Sequence, residues 1–537
     1  MQVKRILKKL NVFLGKPFFW AALLFLVTSV IFIPALKMKF WWVDDGWTIT
    51  MARKIIDSVT HFNFEGLKII IDESGGRFRV VYWIFQTFVY LVSGNNPTLH
   101  FLVHYLVILL SAYLIFRIVL LITKSNLSGF VSSIIYVLSP INTENLYRLG
   151  PQEPILCLFL IASIYFLFRR KIFLSILFLL FTALTKENGF ILWIPIFFLY
   201  VGKRVLFKRR DLDLEKYCIW GFMFSIPLIL NTFLRHGGYS GFYTFNINQI
   251  ISNFGSYIRL VNEALSPLFV LFVTTYSARV VIYFRNNNFK KYRLGLLLQA
   301  MFLILFLSFI AVQSPWEFVL YRYIMPASVG LVIFMGLEIA GIREMFLIKK
   351  IRLTPWLVAI FTVYFFTFIW MNMIHIYLSG ELSAHQTSFI QSLYKDLANE
   401  VPPNGVVLLN FLKGDSTTEL VAQTGMQLGL FYQRPDIQVS YLSLDNLPKE
   451  DFIIVGTPQI RAEYPREVVE KSIGKYRKDE SLIQEDKFLV LTTPMGLFKQ
   501  VTKKTYQFII HKKPLTGDGI FTYYVSRDYW YKYYVGK

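Results

Sequence analysis

The sequence predicts a polytopic α-helical membrane protein of about eleven transmembrane helices, with a juxtamembrane helical loop and a C-terminal α/β domain on the outer side. Three observations lead there. Of 537 residues, 55% are hydrophobic and only 17% charged, too few charges for the surface a soluble chain exposes. The apolar residues fall in long runs, and the 56 Lys and Arg outnumber the 34 Asp and Glu. A net charge of +22 beside such runs marks a cytoplasmic face rather than a nucleic-acid partner. Soluble, disordered, fibrous and disulfide-stapled classes are excluded, and both cysteines, Cys157 and Cys218, lie in apolar segments.

The first apolar run, residues 18–36, follows Lys4, Arg5, Lys8, Lys9 and Lys16 and precedes Trp41-Trp42. It is long enough to span a bilayer, and no small-residue cleavage site follows it. It reads as a retained helix with the N-terminus in the cytoplasm. Further apolar segments lie at 98–122, 127–139, 154–168, 172–185, 189–201, 217–234, 267–284, 294–312, 323–341 and 355–378. The segment 81–93, short and preceded by Arg77 and Arg79, is assigned to the outer interface instead of a span. With that choice every basic cluster becomes cytoplasmic, among them Arg169-Arg170-Lys171 and Lys203–Arg210. Residues 1–378 are then the membrane domain and 379–537 an extracytoplasmic domain in a multi-pass protein of the plasma or inner membrane. In that tail Val406–Asn410, Phe452–Val455 and Phe488–Thr492 read as strands, Thr387–Asn399 and Glu419–Phe431 as helices. The Tyr-rich end, Tyr523–Tyr534, suits packing, a sugar-binding surface or a strand near headgroups.

Ionisable residues gather at the expected outer boundary. Asp44 and Asp45 sit just beyond the first span, where two adjacent carboxylates are costly unless bonded, paired or used. One can serve as a general base, and the other as a helix N-cap. The cations Arg77, Arg79, Arg148, Lys186, Arg235 and Arg322 lie on the same side, against the positive-inside trend. A lipid-linked phosphate is a natural partner for such a set. The alternatives are snorkelling to headgroups, or pairing with Asp72, Glu73, Glu144, Glu153, Glu187 or Glu317. His100 and His104 have an i, i+4 spacing but no zincin motif around them, so they read as packing residues and no metal ligand is assigned. No Walker or Gly-rich phosphate loop is present.

Several short motifs, in order, carry a family likeness: Asp44-Asp45, Arg77 before Tyr82-Trp83, Ser93-Gly94-Asn95-Asn96-Pro97, Leu184-Thr185-Lys186-Glu187 and Arg322-Tyr323-Ile324-Met325-Pro326. Over residues 18–340 the chain resembles integral-membrane glycosyltransferases of the GT-C fold, the group of protein O-mannosyltransferases and lipid A aminoarabinose transferases. It departs from them in Phe78-Arg79, where many members have prolines, and in Asp-Asp where the mannosyltransferases have Asp-Glu.

The resemblance implies a polyprenyl- or dolichyl-phosphate sugar donor and an acceptor hydroxyl on a glycan, lipid or protein. Asp44 or Asp45 would be the base for inverting transfer. Arg77 and Lys186, with Arg235 or Arg322, would hold the leaving phosphate, and Tyr82, Trp83, Glu187 and Tyr323 would contact substrate. The resemblance names no certain cofactor and leaves a divalent metal open: adjacent carboxylates could hold one, but other ligands are not evident. Two other classes remain: a transporter or flippase of lipid-linked saccharides, and a non-catalytic membrane protein with a partner-binding tail.

Overall fold

The computed structural model describes residues 16–446 apart from 42–43, 72–78, 235–245, 266–267, 286–288, 317–318, 350–354, 402, 411 and 414, and beyond them 452–456, 463–465, 468, 478–479 and 531–534. The helices in order are α1 Pro17–Phe32, α2 Asp45–Thr60, α3 Glu65–Ile71, α4 Val80–Ser93, α5 Pro97–Thr123, α6 Asn126–Val137, α7 Thr143–Leu146, α8 Glu153–Phe168 and α9 Ile172–Thr185. They continue as α10 Trp193–Phe207, α11 Leu212–Leu234, α12 Ile247–Leu265, α13 Leu268–Arg285, α14 Phe289–Gln313, α15 Met325–Lys349, α16 Pro355–Glu400 and α17 Asp415–Tyr432.

The chain is an integral membrane protein. Among the described residues, seven helices are long and apolar enough to cross a bilayer by length and composition: Pro17–Lys37, Pro97–Thr123, Glu187–Phe207, Leu268–Arg285, Phe289–Gln313, Arg322–Met345 and Thr362–Glu381. The expected spans 127–139, 154–168 and 172–185 are shorter apolar helices, and 217–234 lies within α11. Large apolar side chains such as Phe25, Leu106, Phe173, Phe222 and Phe284 point outward from the bundle, as lipid-facing residues do. α4 has two faces: Tyr82, Trp83, Gln86 and Val89 are buried, whereas Ile84, Phe88, Leu91 and Val92 are exposed. That pattern suits a helix lying at an apolar boundary.

Local sequence explains the helix starts. Pro97 has no N–H to lose at the first helical position of α5, and the Asn96 side chain accepts from the N–H groups of Thr98 and Leu99 at 3.0 and 3.4 Å. Ser125 caps α6 by accepting from the Ser128 N–H at 3.2 Å.

Sequence reading ends the last span at 378, but α16 runs unbroken through Leu378 and Ser379 for 46 residues. At 1.5 Å per residue it is about 69 Å long, more than twice what a bilayer core requires. Its far end helps to build the core of the tail, where Ile390, Tyr394 and Leu397 pack with Val407, Leu409 and Leu428. Strands β1 Val406–Leu409, β2 Gln438–Tyr441, β3 Phe452–Gly456, β4 Lys478–Asp479 and β5 Tyr531–Tyr534 form one sheet in the order β2-β1-β3-β5-β4. β1 pairs in parallel with β2 and β3, with Val406 opposite Gln438 and Phe452, and β5 is antiparallel to β3 and β4. The expected strand Phe488–Thr492 lies outside the described residues.

The segment between α1 and α2 runs along the projecting part of α16. Lys37 pairs with Glu381 at 2.8 Å, and the Lys39 N–H donates to the Thr387 hydroxyl at 3.0 Å. Phe40 then stacks on Phe431 of α17 with ring centroids 4.9 Å apart. The acidic pair therefore emerges in contact with both membrane helices and the tail.

Candidate functional site

Asp44 and Asp45 are neighbours in sequence and opposites in environment. Asp45 is completely buried. Its Oδ2 accepts from the Trp41 N–H at 2.9 Å, and its Oδ1 from the N–H groups of Leu149 and Gly150, both at 3.1 Å. One carboxylate thus ties the start of α2 to the loop before α8. Loss of water pushes its pKa up to about 6; the Trp41 N–H, the Arg148 charge and the Gly150 N–H oppose that rise only in part.

Asp44 occupies the N-cap position of α2, yet its side chain makes no capping bond. Its backbone carbonyl accepts from the Thr48 N–H at 2.9 Å instead. Its φ of 73° with ψ of −45° is a sparsely populated conformation for a residue with a side chain, and persists only where surrounding contacts enforce it. The carboxylate, 31% exposed, lies 2.7 Å from one guanidinium nitrogen of Arg148 and 3.2 Å from Arg322. Arg148 also pairs with Glu144 at 2.6 Å, and Arg322 approaches Glu144 at 3.6 Å. Two carboxylates and two guanidiniums alternate in a closed ring. Gly150 permits this, because a Cβ there would fall 2.2 Å from the Cβ of Asp44.

A second ion pair stands beside the ring. Lys186, at the end of α9, bonds Glu153 at the start of α8, and its ammonium lies 4.4 Å from the ring centroid of Tyr323. The Arg322 guanidinium is 5.4 Å from the same ring. Thus Lys186, Arg322 and Tyr323, far apart in sequence, share one aromatic face. Arg79 pairs with Glu187 at 3.4 Å. Arg79, Arg148, Lys186 and Arg322 thus each pair with a carboxylate in this structure.

Tyr82 and Trp83 are each 1% exposed and pack with Met51, Ile55 and Ile155. The Tyr82 hydroxyl donates to the Gly150 carbonyl at 3.0 Å and lies 3.2 Å from the Thr48 hydroxyl. In this structure they support the acidic loop from beneath and present little surface to a substrate. Arg77 and Arg235 lie outside the described residues. His100 and His104 point to backbone carbonyls, of Gly94 at 2.8 Å and of Asn145 at 2.7 Å. Asn145 in turn donates to the Arg322 carbonyl at 2.9 Å, so His104 helps to hold the turn that carries Arg322.

Among the described residues no three His, Cys, Asp or Glu side chains converge, and Asp44 and Glu144 both face guanidiniums.

The sequence offers Glu144 and Glu153 only as pairing partners, and Arg148 only as one of a set of cations suited to a lipid-linked phosphate. The i, i+4 spacing of Glu144 and Arg148 was the available signal. Sequence reading also missed a cluster inside the bundle. Arg279 bonds Glu338 at 2.5 and 3.0 Å and Gln299 at 2.7 Å, with Arg279 and Glu338 almost fully buried.

Fold and site together define a polytopic helical membrane protein with a ring of paired charges at one end of its helix bundle. No family model matches the chain, and no curated protein does. Solved structures similar to it include ArnT from Cupriavidus metallidurans bound to undecaprenyl phosphate, 12% identical, covering 86% of this chain and 96% of that one with a TM-score of 0.49. The Archaeoglobus fulgidus oligosaccharyltransferase in the apo form is 8% identical, covering 82% of this chain and 70% of that one with a TM-score of 0.46. The archaeal oligosaccharyltransferase AglB from Archaeoglobus fulgidus, in complex with an inhibitory peptide and a dolichol-phosphate, is 10% identical, covering 72% of this chain and 58% of that one with a TM-score of 0.43.

Proposed function

We propose that the protein is an inverting glycosyltransferase that moves a sugar from a polyprenyl- or dolichyl-phosphate carrier to an acceptor hydroxyl at the outer face of the membrane. The observation that carries this reading is the contrast within the acidic pair: Asp45 is spent on three backbone N–H groups, and Asp44 stays partly open beside two guanidiniums. Asp44 takes the proton of the acceptor hydroxyl. The oxygen attacks the anomeric carbon, the bond from that carbon to the phosphate oxygen breaks, and the electron pair leaves on the lipid phosphate. Arg148, Arg322 and Lys186 supply N–H donors for the charge the phosphate gains, help commonly worth about 3–4 kcal/mol per donor. Arg77 and Arg235 are further candidates for that grip, and Tyr323 with Glu187 for the donor headgroup. Asp45, Tyr82 and Trp83 hold the loop in place. The proposed topology has the N-terminus in the cytoplasm and the tail outside, so that residues 1–378 carry the reaction.

The transport alternative has one observation on its side, the buried Arg279–Glu338 pair within the membrane helices. That pair neutralises itself and is sealed with Gln299, as a packing clamp would be. The discriminating experiment incubates membranes containing the protein with radiolabelled polyprenyl-phosphate sugars. Radiolabel in a new glycosidic bond supports transfer. Radiolabel that crosses the bilayer still attached to its carrier supports transport.

A further inference from the structure

The tail touches the acidic loop at defined points. On α17, Gln423, Gln427 and Phe431 recur every four residues and so share one face of the helix. That face lies on the loop. The Gln423 side-chain oxygen accepts from the Asp44 backbone N–H at 2.7 Å. The Gln427 amide donates to the Trp41 carbonyl at 2.9 Å, and Phe431 stacks on Phe40. Gln391, on the projecting part of α16, donates to both the Gln427 side-chain oxygen at 2.9 Å and the Phe40 carbonyl at 3.2 Å. The Tyr432 hydroxyl donates to the Gln391 carbonyl at 2.8 Å and closes the network. Gln427 is fully buried and Gln423 nearly so. Gly46 is required at this contact, since a Cβ there would fall 2.6 Å from Cγ of Gln427.

Among the described residues of this loop Asp44 has a positive φ, and its N–H is the group that Gln423 holds. A peptide in so sparsely populated a conformation needs contacts on both sides of the Cα to stay there. Gly150 and the guanidiniums supply one side, Gln423 the other. We propose that the tail is a positioning device for the acidic loop, and that Gln423 is the positioning residue that keeps Asp44 aimed at the charge ring. This deepens, and rests on, the glycosyltransferase reading. It gives the tail a part in turnover and implies that displacing α17 switches the site off while donor binding persists.

The test uses the full chain in detergent or nanodiscs, with Gln423→Ala, Gln423→Glu and Asp44→Asn beside the unaltered protein. Hydrogen exchange over residues 40–48 reads the loop directly and needs no activity. Gln423→Ala should raise exchange there at least tenfold and leave α16 and the sheet unchanged; Gln423→Glu, which keeps an acceptor oxygen, should recover part of the protection. In the transfer assay Gln423→Ala should lower kcat about 10- to 100-fold with donor KM unchanged. Unaltered exchange over 40–48 in Gln423→Ala would overturn the proposal. So would a kcat loss that only tracks a fall in thermal stability, with no partial rescue in Gln423→Glu. Full activity in Asp44→Asn would instead overturn the glycosyltransferase reading, and the exchange result would still decide whether Gln423 orders the loop.

Discussion

One guanidinium of Arg148 bonds Asp44 at 2.7 Å through one nitrogen and Glu144 at 2.6 Å through another. A planar fork can bridge two carboxylates in this way; a lysine ammonium is a point charge on a flexible stem and cannot hold both in one plane. Arg148→Ala is expected to lower transfer by 100-fold or more, the order seen when a preorganised donor is removed. Arg148→Lys should recover only a small part. Arg209→Ala, at an exposed position among the basic residues after α10, should leave turnover unchanged. Initial rates against donor concentration check all three; equal activity in Arg148→Lys and the unaltered protein would show that charge alone suffices.

Asp45 makes stability depend on pH in an unusual direction. Its pKa is raised from 3.8 to about 6, chiefly by burial. The folded state therefore holds a proton that the unfolded state has lost between those values. This contribution to stability is complete below pH 3.8 and is lost as pH rises through about 6, for a total of about 3 kcal/mol. Relative to Asp45→Asn, which does not titrate, the unaltered protein should lose thermal stability between pH 4.5 and 7.5. Melting curves in detergent across that range check it. A relative gain with rising pH would mean that the three N–H bonds, not burial, dominate.

The buried pair of Lys186 and Glu153 separates packing from chemistry. Lys186→Ala strands Glu153, 1% exposed, without its counter-ion, a change that typically costs about 3–5 kcal/mol. Lys186→Met with Glu153→Gln should restore most of the stability, because both charges are gone. Transfer should stay low in the double variant if Lys186 also contacts the phosphate. Recovery of stability and turnover together would make Lys186 purely structural.

Much of this arrangement was legible in the sequence, because long apolar runs can only be buried in lipid or protein. Seven of the expected spans fall on helices long and apolar enough to cross a bilayer, three on shorter apolar helices, and 217–234 within α11. The acidic pair and the cations beside it were also visible, since charges near hydrocarbon stand out. What could not be read was which carboxylate is buried: Asp44 and Asp45 are chemically identical, and only the approach of Leu149 and Gly150, over a hundred residues away, distinguishes them. Tyr82 and Trp83 carry substrate contact only as the family resemblance implies it, and their burial depends on packing against Met51, Ile55 and Ile155, which the sequence does not display. Gln423 gave no sign, because an amide on a helix face is ordinary until its neighbour is known. The continuation of α16 past 378 was hidden because polar residues in its last turns mark the end of the lipid zone, not of the helix.

The proposed orientation also has its own test. Asn95 and Arg209 are both exposed, and the two native cysteines are buried. In intact cells Asn95→Cys should react with an impermeant thiol reagent, and Arg209→Cys only after permeabilisation. Reaction of Arg209→Cys from outside would invert the topology and with it the face on which transfer occurs.

Asp44, not Asp45, is the proposed proton acceptor. Asn at position 44 keeps the size of the side chain and tolerates a positive φ, while removing the base. The decisive measurement is the rate of sugar transfer from a radiolabelled polyprenyl-phosphate donor by purified Asp44→Asn, normalised to folded protein by its melting profile. Transfer should fall at least a thousandfold with the melting temperature nearly unchanged, whereas turnover within tenfold of the unaltered protein would rule Asp44 out as the base.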